Sequence, residues 1–472
     1  MRECSRLAYA LTPMVVLAQG QAPPTVSPQA IDDPIWQELQ AEALEKNPDL
    51  ARGKSLVEAE KERIPQAKAL PDPSLSLGIQ NDGFKRIEIG RMETSWYQLM
   101  VTQPLPWPGK RQVRGDIAAL GVDGQDAVLR RTRLGLLSDL RRAYVGLLLV
   151  RGQLQLLDDQ GLFLQKAEAT TKVRYEVGQG SQADLLRAQL ERTRLQQTRL
   201  GLEAEEHSVR AAINRIRVAD PDAPIATTNS LRALSAPDMR LDQAWLDQAE
   251  KESPELLQAT IDLHQAERRL DLAKLDRKPD FAVSAAIMPR GGLEPMWQVG
   301  FSIGLPIFSK QKQQRAVAEQ EWRRKAQGSG VETVRILLSQ RIRERQAQLA
   351  STLATLRIYR EGLLVQSEAS FQAALAQYEA GQASYPFLSV LEALNGWVAD
   401  QSRQLQTLAQ AQALQIAQEE FNLGPTPGIS SAGLSASAMG GSGGGPPAPG
   451  MGSSKPASSG ATETGGPSTK SM

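Results

Sequence analysis

The sequence has few of the residues that most often carry covalent chemistry or bind metal ions. It contains one cysteine, Cys4, and two histidines, His207 and His264, which lie in polar stretches typical of a solvated helix face. One cysteine excludes an intrachain disulfide framework, and two isolated histidines do not form a metal-ligand motif. There is no Ser-His-Asp arrangement and no phosphate-binding loop. The sequence therefore predicts no enzyme, no cofactor and no resident metal site.

Excess charge of one sign and long apolar runs are also missing. Lys and Arg total 54 against 53 Asp and Glu, and this balance argues against nucleic-acid binding, which usually needs a basic face. No later segment has about 18 consecutive apolar residues, so no transmembrane helix is predicted. Aromatic residues make up only 5% of the chain. The abundance of Leu, Ala, Gln, Arg and Glu instead favours long helices in lateral contact.

The two ends of the chain differ in composition from the rest. Arg2 and Arg6 precede a short apolar stretch, Leu7 to Ala18, which ends in small and polar residues. This layout predicts a signal peptide over residues 1–20, and a disordered leader is the alternative. Residues 425–472 are rich in Gly, Ser, Pro and Ala. We expect this tail to be disordered, because it cannot bury enough apolar surface to fold.

Between these ends the sequence is an internal repeat. Three blocks recur in the same order at an offset of 200 to 206 residues: NPDL at 47 with SPEL at 253, QPLPWPGK at 103 with IGLPIFSK at 303, and YEVGQGS at 175 with YEAGQAS at 378. The chain is therefore predicted to be two copies of one unit, residues 21–220 and 241–424. A proline-containing linker, residues 221–240, joins them.

Each copy begins with a helical pattern, at Trp36–Leu70 and at Leu241–Leu275, which prolines then end. After the prolines, apolar residues alternate with small or polar ones, as in a strand with two different faces. In the second copy Trp297, Val299 and Phe301 follow this alternation. We predict one β-hairpin per copy, with strands at about 73–82 and 95–105 in the first copy and about 280–288 and 296–306 in the second.

Long proline-free stretches follow both hairpins. Within the first, Leu137, Leu140, Tyr144 and Leu147 are spaced by three and four residues, which is the stripe of a coiled coil. Glycines near 178 and 381 can supply the tight reversal that a helical hairpin needs. The sequence predicts two helical hairpins: residues 109–218, with a tip near 178, and residues 310–422, with a tip near 381.

The strands predict a membrane part. An apolar strand face suits lipid, and the Gly, Ser and Gln of the other face suit a wet lumen. Sheet edges are not tolerated in a bilayer, and the smallest membrane barrels have about eight strands, so a chain with four strands must share a barrel with other copies. This argument alone leaves two to four chains open. The alternative is a soluble sheet packed on helices.

This arrangement closely resembles the TolC-like outer-membrane efflux family. The resemblance rests on the two copies of helix, hairpin and long helix pair, and on four kinds of motif: QPLPWPGKR from Gln103, the YxxGQ blocks at Tyr175 and Tyr378, DLLRAQ at 184–189 and SVLEA at 389–393. It covers residues 30 to 424. The PWPGK wording is most similar to the heavy-metal efflux subgroup.

The resemblance implies a mainly α fold with a small membrane β part. It implies a homotrimer with a twelve-stranded β-barrel in the outer membrane and an α-helical barrel in the periplasm. The implied partners are a periplasmic adaptor, an inner-membrane pump of the resistance-nodulation-division type and outer-membrane lipid. The implied function is a passive exit duct for metal ions or small toxic compounds.

The resemblance also implies a periplasmic aperture narrowed by acidic side chains, for which Asp184 and Glu392 are the candidates. A ring of carboxylates would attract cations and exclude anions. The alternative for Asp184 is a helix N-cap after the turn. The candidates for adaptor contact are the hairpin tips: Gly178, Gln179, Gly180, Ser181, Gly381, Gln382 and Ser384. Pro386 makes the sequence of the second tip differ from that of the first.

The junctions between strands and long helices form a third group of candidates: Pro104, Pro106, Pro108, Lys110, Pro306 and Lys310. Lysines at the foot of a barrel could meet anionic headgroups or line the tunnel mouth, or they could simply begin a solvated helix.

Two other protein classes remain as alternatives. A periplasmic adaptor also has a coiled-coil hairpin, but it should have one, flanked by small β domains. A periplasmic coiled-coil scaffold without a membrane barrel would not need strands whose apolar face alternates with Gly and Ser.

Overall fold

The computed structural model describes residues 34–84, 86–178, 180–227, 230–234, 237, 243–380 and 387–424. The predicted signal peptide and tail lie outside these residues. The fold is mostly helical, as predicted, with 73% of the described residues in helices. The helices are α1 (Pro34–Lys46), α2 (Pro48–Lys68), α3 (Lys110–Glu176), α4 (Gln182–Arg217), α5 (Gln243–Glu252), α6 (Pro254–Leu275), α7 (Gln313–Ile358), α8 (Leu364–Glu379) and α9 (Phe387–Glu419).

The helical segment that opens each copy is two helices instead of the one continuous pattern predicted. Asn47 ends α1 and caps α2, because its side chain accepts a hydrogen bond from the Asp49 backbone N–H at 2.9 Å. Ser253 lies between α5 and α6 and is the N-cap of α6, because its side chain accepts a hydrogen bond from the Leu256 N–H. A proline follows each cap at the first helical position, where its missing N–H costs nothing. The NPDL and SPEL blocks are therefore paired helix starts.

Four strands form one antiparallel sheet in the order β1-β2-β3-β4. The strands are β1 (Ser74–Gln80), β2 (Trp96–Leu105), β3 (Phe281–Arg290) and β4 (Leu293–Ile303). The two hairpins are joined by pairing of β2 with β3, which places Val101 opposite Ala285 and Leu99 opposite Ile287. The sheet thus unites the two copies of the repeat.

Long helices follow each hairpin. The 67 residues of α3 would span about 100 Å at the usual rise of an α-helix. This helix packs against α4, and α8 packs against α9. The first arm of the second hairpin begins at Gln313, where the sequence predicted a start at about 310. A single π turn, Tyr359–Leu363, then separates α7 from α8.

The main core lies where the long helices of both copies meet. Leu140, Tyr144, Ile213, Leu349 and Leu414 are completely buried there. The stripe predicted from Leu137 to Leu147 contributes three of its four residues, Leu140, Tyr144 and Leu147, to this core. Part of the predicted linker packs on the same cluster, since Ile225 and Leu231 are also buried and Leu231 begins a 3₁₀ turn, Leu231–Ala233.

Candidate functional site

The sheet exposes its apolar face. In β1 the side chains of Leu75, Leu77 and Ile79 are 61–77% exposed, and in β4 those of Trp297 and Val299 are 67–79% exposed. The register continues this face across all four strands, because each apolar position is opposite another position of the same face. A surface of this kind needs an apolar solvent or a partner, since soluble proteins rarely expose large contiguous apolar patches.

The opposite face of the sheet is small, polar or buried. It presents Ser76 and Gly78 in β1 and Ser284 in β3. Within β3, Ala286 and Met288 on this face are buried, whereas Ile287 on the apolar face is 48% exposed. This is the reverse of a soluble sheet, whose apolar face is the buried one. The arrangement therefore matches a strand set with lipid on one side and a lumen on the other.

The junction between β2 and α3 is an ionic contact between the two copies. The Lys110 side chain is 3% exposed, and its Nζ lies 2.9 Å from Asp280 Oδ1 and 3.2 Å from Asp276 Oδ1. It also donates to the Lys278 carbonyl at 3.2 Å. Asp280 Oδ1 accepts a second hydrogen bond, at 2.7 Å, from the Trp107 backbone N–H. Lys110 therefore does not begin a solvated helix, and its buried, paired amine is not free to meet lipid headgroups or to line the tunnel mouth.

The pKa of Asp280 reflects this contact. Partial burial favours the neutral carboxyl, but the hydrogen bonds from Lys110 and from the Trp107 N–H outweigh it and lower the pKa below its ordinary value. Asp280 therefore stays ionised at neutral pH and holds the first residues of α3 against the start of β3.

The prolines and the second lysine of the junction have simpler surroundings. Pro104 lies in the strand pairing, opposite Ala282, and Pro106 and Pro108 follow the end of β2. Their counterpart in the second copy, Pro306, follows β4, and Lys310 lies exposed in the turn before α7. In α3 the helix instead begins at Lys110 itself, after Gly109 with a φ of +94°.

The first hairpin tip is a reversal built on glycine and a capping pair. Gly178 has a φ of +74°, which favours glycine, and a Cβ at Gly180 would come within 3.1 Å of the Tyr175 backbone nitrogen. Ser181 is the N-cap of α4 and accepts from the Asp184 N–H, while its hydroxyl donates to Asp184 Oδ2 at 2.9 Å. Asp184 is therefore not the N-cap, which is Ser181; it is the third residue of the helix, and its carboxylate accepts from the hydroxyl of the cap.

Near the tips the two hairpins contact each other through an arginine and a tyrosine. The Arg174 guanidinium lies 4.4 Å from the centre of the Tyr378 ring, and its Nη2 donates to the Glu379 carbonyl at 3.3 Å. Tyr378 also packs on Phe387, with ring centres 5.5 Å apart. Burial raises the pKa of Tyr378, although Arg174 opposes this shift. Tyr175, its repeat partner, is 45% exposed instead.

The remaining candidates are placed only in part. Glu392 is exposed on α9, and Asp184 is also bound to Arg187 at 3.4 Å. Gln179, Gly381, Gln382 and Ser384 lie outside the described residues. Sequence reasoning missed Asp280, Asp276 and Arg174. A signal for Asp280 existed, because the Pro–Asp pair before β3 repeats Pro71–Asp72 before β1.

The described residues contain neither a candidate metal site nor a helix that could span a bilayer. No group of three or more His, Cys, Asp and Glu side chains there could hold a metal ion. In the same part of the chain, no helix is both long and apolar enough to span a bilayer.

Comparisons with known proteins give the family. The profile of the family described as "Outer membrane efflux protein" matches residues 39–220 and 245–420, which is one segment in each copy and most of the chain. No curated protein matches the chain in sequence.

Solved structures share the fold at low sequence identity. The chain is similar to the channel CusC, with a TM-score of 0.71 and 18% identity over 83% of this chain and 92% of CusC. It is similar to the outer-membrane protein VceC of Vibrio cholerae, with a TM-score of 0.66 and 16% identity over 82% of this chain and 95% of VceC. It is also similar to the CmeC outer-membrane channel of Campylobacter jejuni, with a TM-score of 0.68 and 13% identity over 82% of this chain and 86% of CmeC. With a family profile matching both copies, the protein belongs to the outer membrane efflux protein family and is an efflux duct of the outer membrane with a periplasmic helical part.

Proposed function

We propose that three copies of this chain share one twelve-stranded β-barrel and continue into one α-helical barrel. The observation that carries the proposal is the four-stranded sheet, whose apolar face is exposed and whose outer strands, β1 and β4, each have one strand neighbour among the described residues. A bilayer offers no water to the backbone groups of such edges. Joining β4 of one copy to β1 of the next removes every edge. Several copy numbers satisfy this requirement, and the family resemblance favours three.

The duct would do no covalent chemistry. Export would be driven by an inner-membrane pump of the resistance-nodulation-division type, and a periplasmic adaptor would dock on the hairpin tips around Gly178 to Ser181 and around Gly381 to Ser384. The cargo would be metal ions or small toxic compounds. The PWPGK motif supports the heavy-metal subgroup, but TM-scores of 0.71, 0.66 and 0.68 for CusC, VceC and CmeC are too close to add to it.

The aperture would be acidic. Asp184 lies one helical turn from the reversal, and Glu392 is exposed near the start of α9. Threefold repetition of these carboxylates around an axis would concentrate cations at the entrance. The contact of Asp184 with Arg187 reduces its net field, so the effect on selectivity should be moderate.

The test is single-channel conductance of the detergent-extracted protein in a planar bilayer, with the oligomer mass determined alongside. We expect a trimer with small, cation-selective openings. Asp184→Asn should lower the cation preference, and Asp126→Asn, which removes a carboxylate paired with Arg130 in α3, is the matched control that should not. A monomer that never conducts would overturn the shared barrel. A conducting trimer with no ion preference would overturn only the acidic aperture.

A further inference from the structure

The Lys110 contact joins the end of one hairpin to the start of the next one. Lys110 follows β2, and its partner Asp280 directly precedes β3, the neighbouring strand in the sheet. The same contact places the Trp107 ring 5.4 Å from the Phe281 ring, so it fixes both charge and packing at this foot of the sheet. It is therefore a connection between adjacent hairpins, and it would recur wherever two hairpins adjoin.

The repeat provides a second set of the same residues, and no ion pair joins this set among the residues that the structure describes. Lys310 follows β4 as Lys110 follows β2, at an offset of 200 residues, and Asp72 precedes β1 as Asp280 precedes β3, at an offset of 208. Both side chains are exposed, and they lie at opposite outer edges of the sheet.

The strands are related by the same two offsets. Applying these two offsets to the pairing of β2 with β3 places Phe301 opposite Leu77 and Val299 opposite Ile79. All four of these side chains are more than 60% exposed. On the other face the same register places Ser302 opposite Ser76 and Gly300 opposite Gly78. A shift by one residue would put apolar side chains against polar ones, so the faces match only at this parity.

The packing of the helices is also compatible with this arrangement between neighbouring copies. The start of α3 packs on both α2 and α6, whereas α7, its repeat counterpart, packs on α6 and has no comparable contact with α2. The exposed Trp322 on α7 and Leu56 on α2 therefore lie on helices that have contacts to gain from a neighbouring copy.

We propose that Lys310 of one copy forms an ion pair with Asp72 of the next copy, and that this contact, with β4 beside β1, closes the assembly. The inference rests on the proposed shared barrel, and it adds the residues and the register of the subunit boundary. One difference from the Lys110 contact follows from the sequence. Lys68 stands at the position of Asp276, so Lys310 has one carboxylate partner where Lys110 has two. The boundary between copies is therefore the weaker of the two junctions.

A zero-length carbodiimide crosslinker tests the pair, because it joins a lysine amine to a carboxylate only when the two are in contact. The probe is the purified full-length protein in detergent, made from a mixture of unlabelled and ¹⁵N-labelled chains, followed by peptide mass spectrometry. We expect a mixed-label peptide joining Lys310 to Asp72 and a covalent trimer on a denaturing gel. The link between Lys110 and Asp280 should carry one label only, since both residues belong to one chain.

Variants make the result specific. Lys310→Gln and Asp72→Asn should each remove the mixed-label peptide, and Lys312→Gln, an exposed lysine two residues further on, should leave it. Lys310→Asp and Asp72→Lys should each lower the temperature at which the trimer dissociates, and the double reversal should restore it. A trimer by mass that lacks the mixed-label peptide would overturn the pairing and leave the duct intact. The absence of any oligomer would overturn the shared barrel first and the pairing with it.

Discussion

Single residues at the first hairpin tip determine its shape. Gly180 lies against the C-terminal end of α3. A Cβ added at this glycine would come 3.0 Å from Arg174 Cβ and 3.1 Å from the Tyr175 nitrogen. We expect Gly180→Ala to displace the reversal and reduce export, because backbone cannot move aside as a side chain can. Resistance of cells that carry the variant measures this.

The control for this prediction is a glycine in open space. Gly201 lies within α4, and a Cβ there would meet no atom within 4 Å. Gly201→Ala should raise the free energy of unfolding by about 0.5–1 kcal/mol, the usual gain in a helix interior, and leave export intact. Equal export by the two variants would contradict the role of Gly180.

A second residue-scale prediction concerns acid. The pKa of Asp280 is lowered in the folded protein, so its contact with Lys110 stabilises the fold above the ordinary carboxyl pKa of about 4. This stability is lost as the pH falls through the lowered pKa. We expect Asp280→Asn to weaken the fold at pH 7 and to make the loss of stability below about pH 4 less steep. Thermal unfolding followed by circular dichroism checks both; an unchanged slope would contradict the assignment.

At the scale of elements, the sheet has an apolar face and a small or polar face, which the proposed barrel would turn to lipid and to the lumen. Val299 and Gln298 are neighbours near the middle of β4, both exposed, and they belong to opposite faces. In lipid vesicles Val299→Lys should lower the free energy of unfolding by about 2–4 kcal/mol, because it places a charge against hydrocarbon. Gln298→Lys should lower the free energy of unfolding by much less, and it should change the single-channel conductance instead. Denaturant titrations of tryptophan fluorescence measure the difference.

The elements differ in how far local sequence predicts them. The strands could be anticipated because prolines bound them and their apolar residues alternate, and both signals lie within a few residues. The break between α1 and α2 was missed, although Asn47 and Pro48 together form a helix start. The π turn at Tyr359–Leu363 carries no such signal. It inserts one residue into the helical repeat, which rotates the following stripe by about 100°.

The candidate site was predictable in part for the same reason. Glycine and proline positions could be read locally, and Gly178 does adopt the left-handed conformation. The partners of Lys110 and Arg174 could not be predicted in this way, because they lie 170 and 204 residues away along the chain, in the other copy of the repeat. Lys110 was accordingly assigned to the surface, where a lysine usually lies. Such contacts follow from how the copies are arranged.

At the scale of the molecule, the contact between Arg174 and Tyr378 ties the first helical hairpin to the second near their tips. We expect Arg174→Ala to loosen this contact and to raise single-channel conductance, because the tips can then separate more easily. Arg130→Ala, which removes an exposed arginine from its pair with Asp126 on the same helix without crossing between hairpins, is the matched control. Identical conductance for the two variants would show that the cross-hairpin contact does not restrain the aperture.

The free edges of β1 and β4 have a kinetic consequence. The long helices pack on one another within one chain, so helix formation should follow first-order kinetics and proceed at any dilution. In the proposed barrel the edge strands complete their hydrogen bonding only when copies meet, so the rate of that step should rise steeply with protein concentration. Refolding at falling concentration should therefore separate the two steps, and dilute protein should accumulate as a helical chain with an unfinished sheet. Such a chain is prone to aggregation through its edges, so the cell needs either rapid encounter between copies or an escort for the lone subunit.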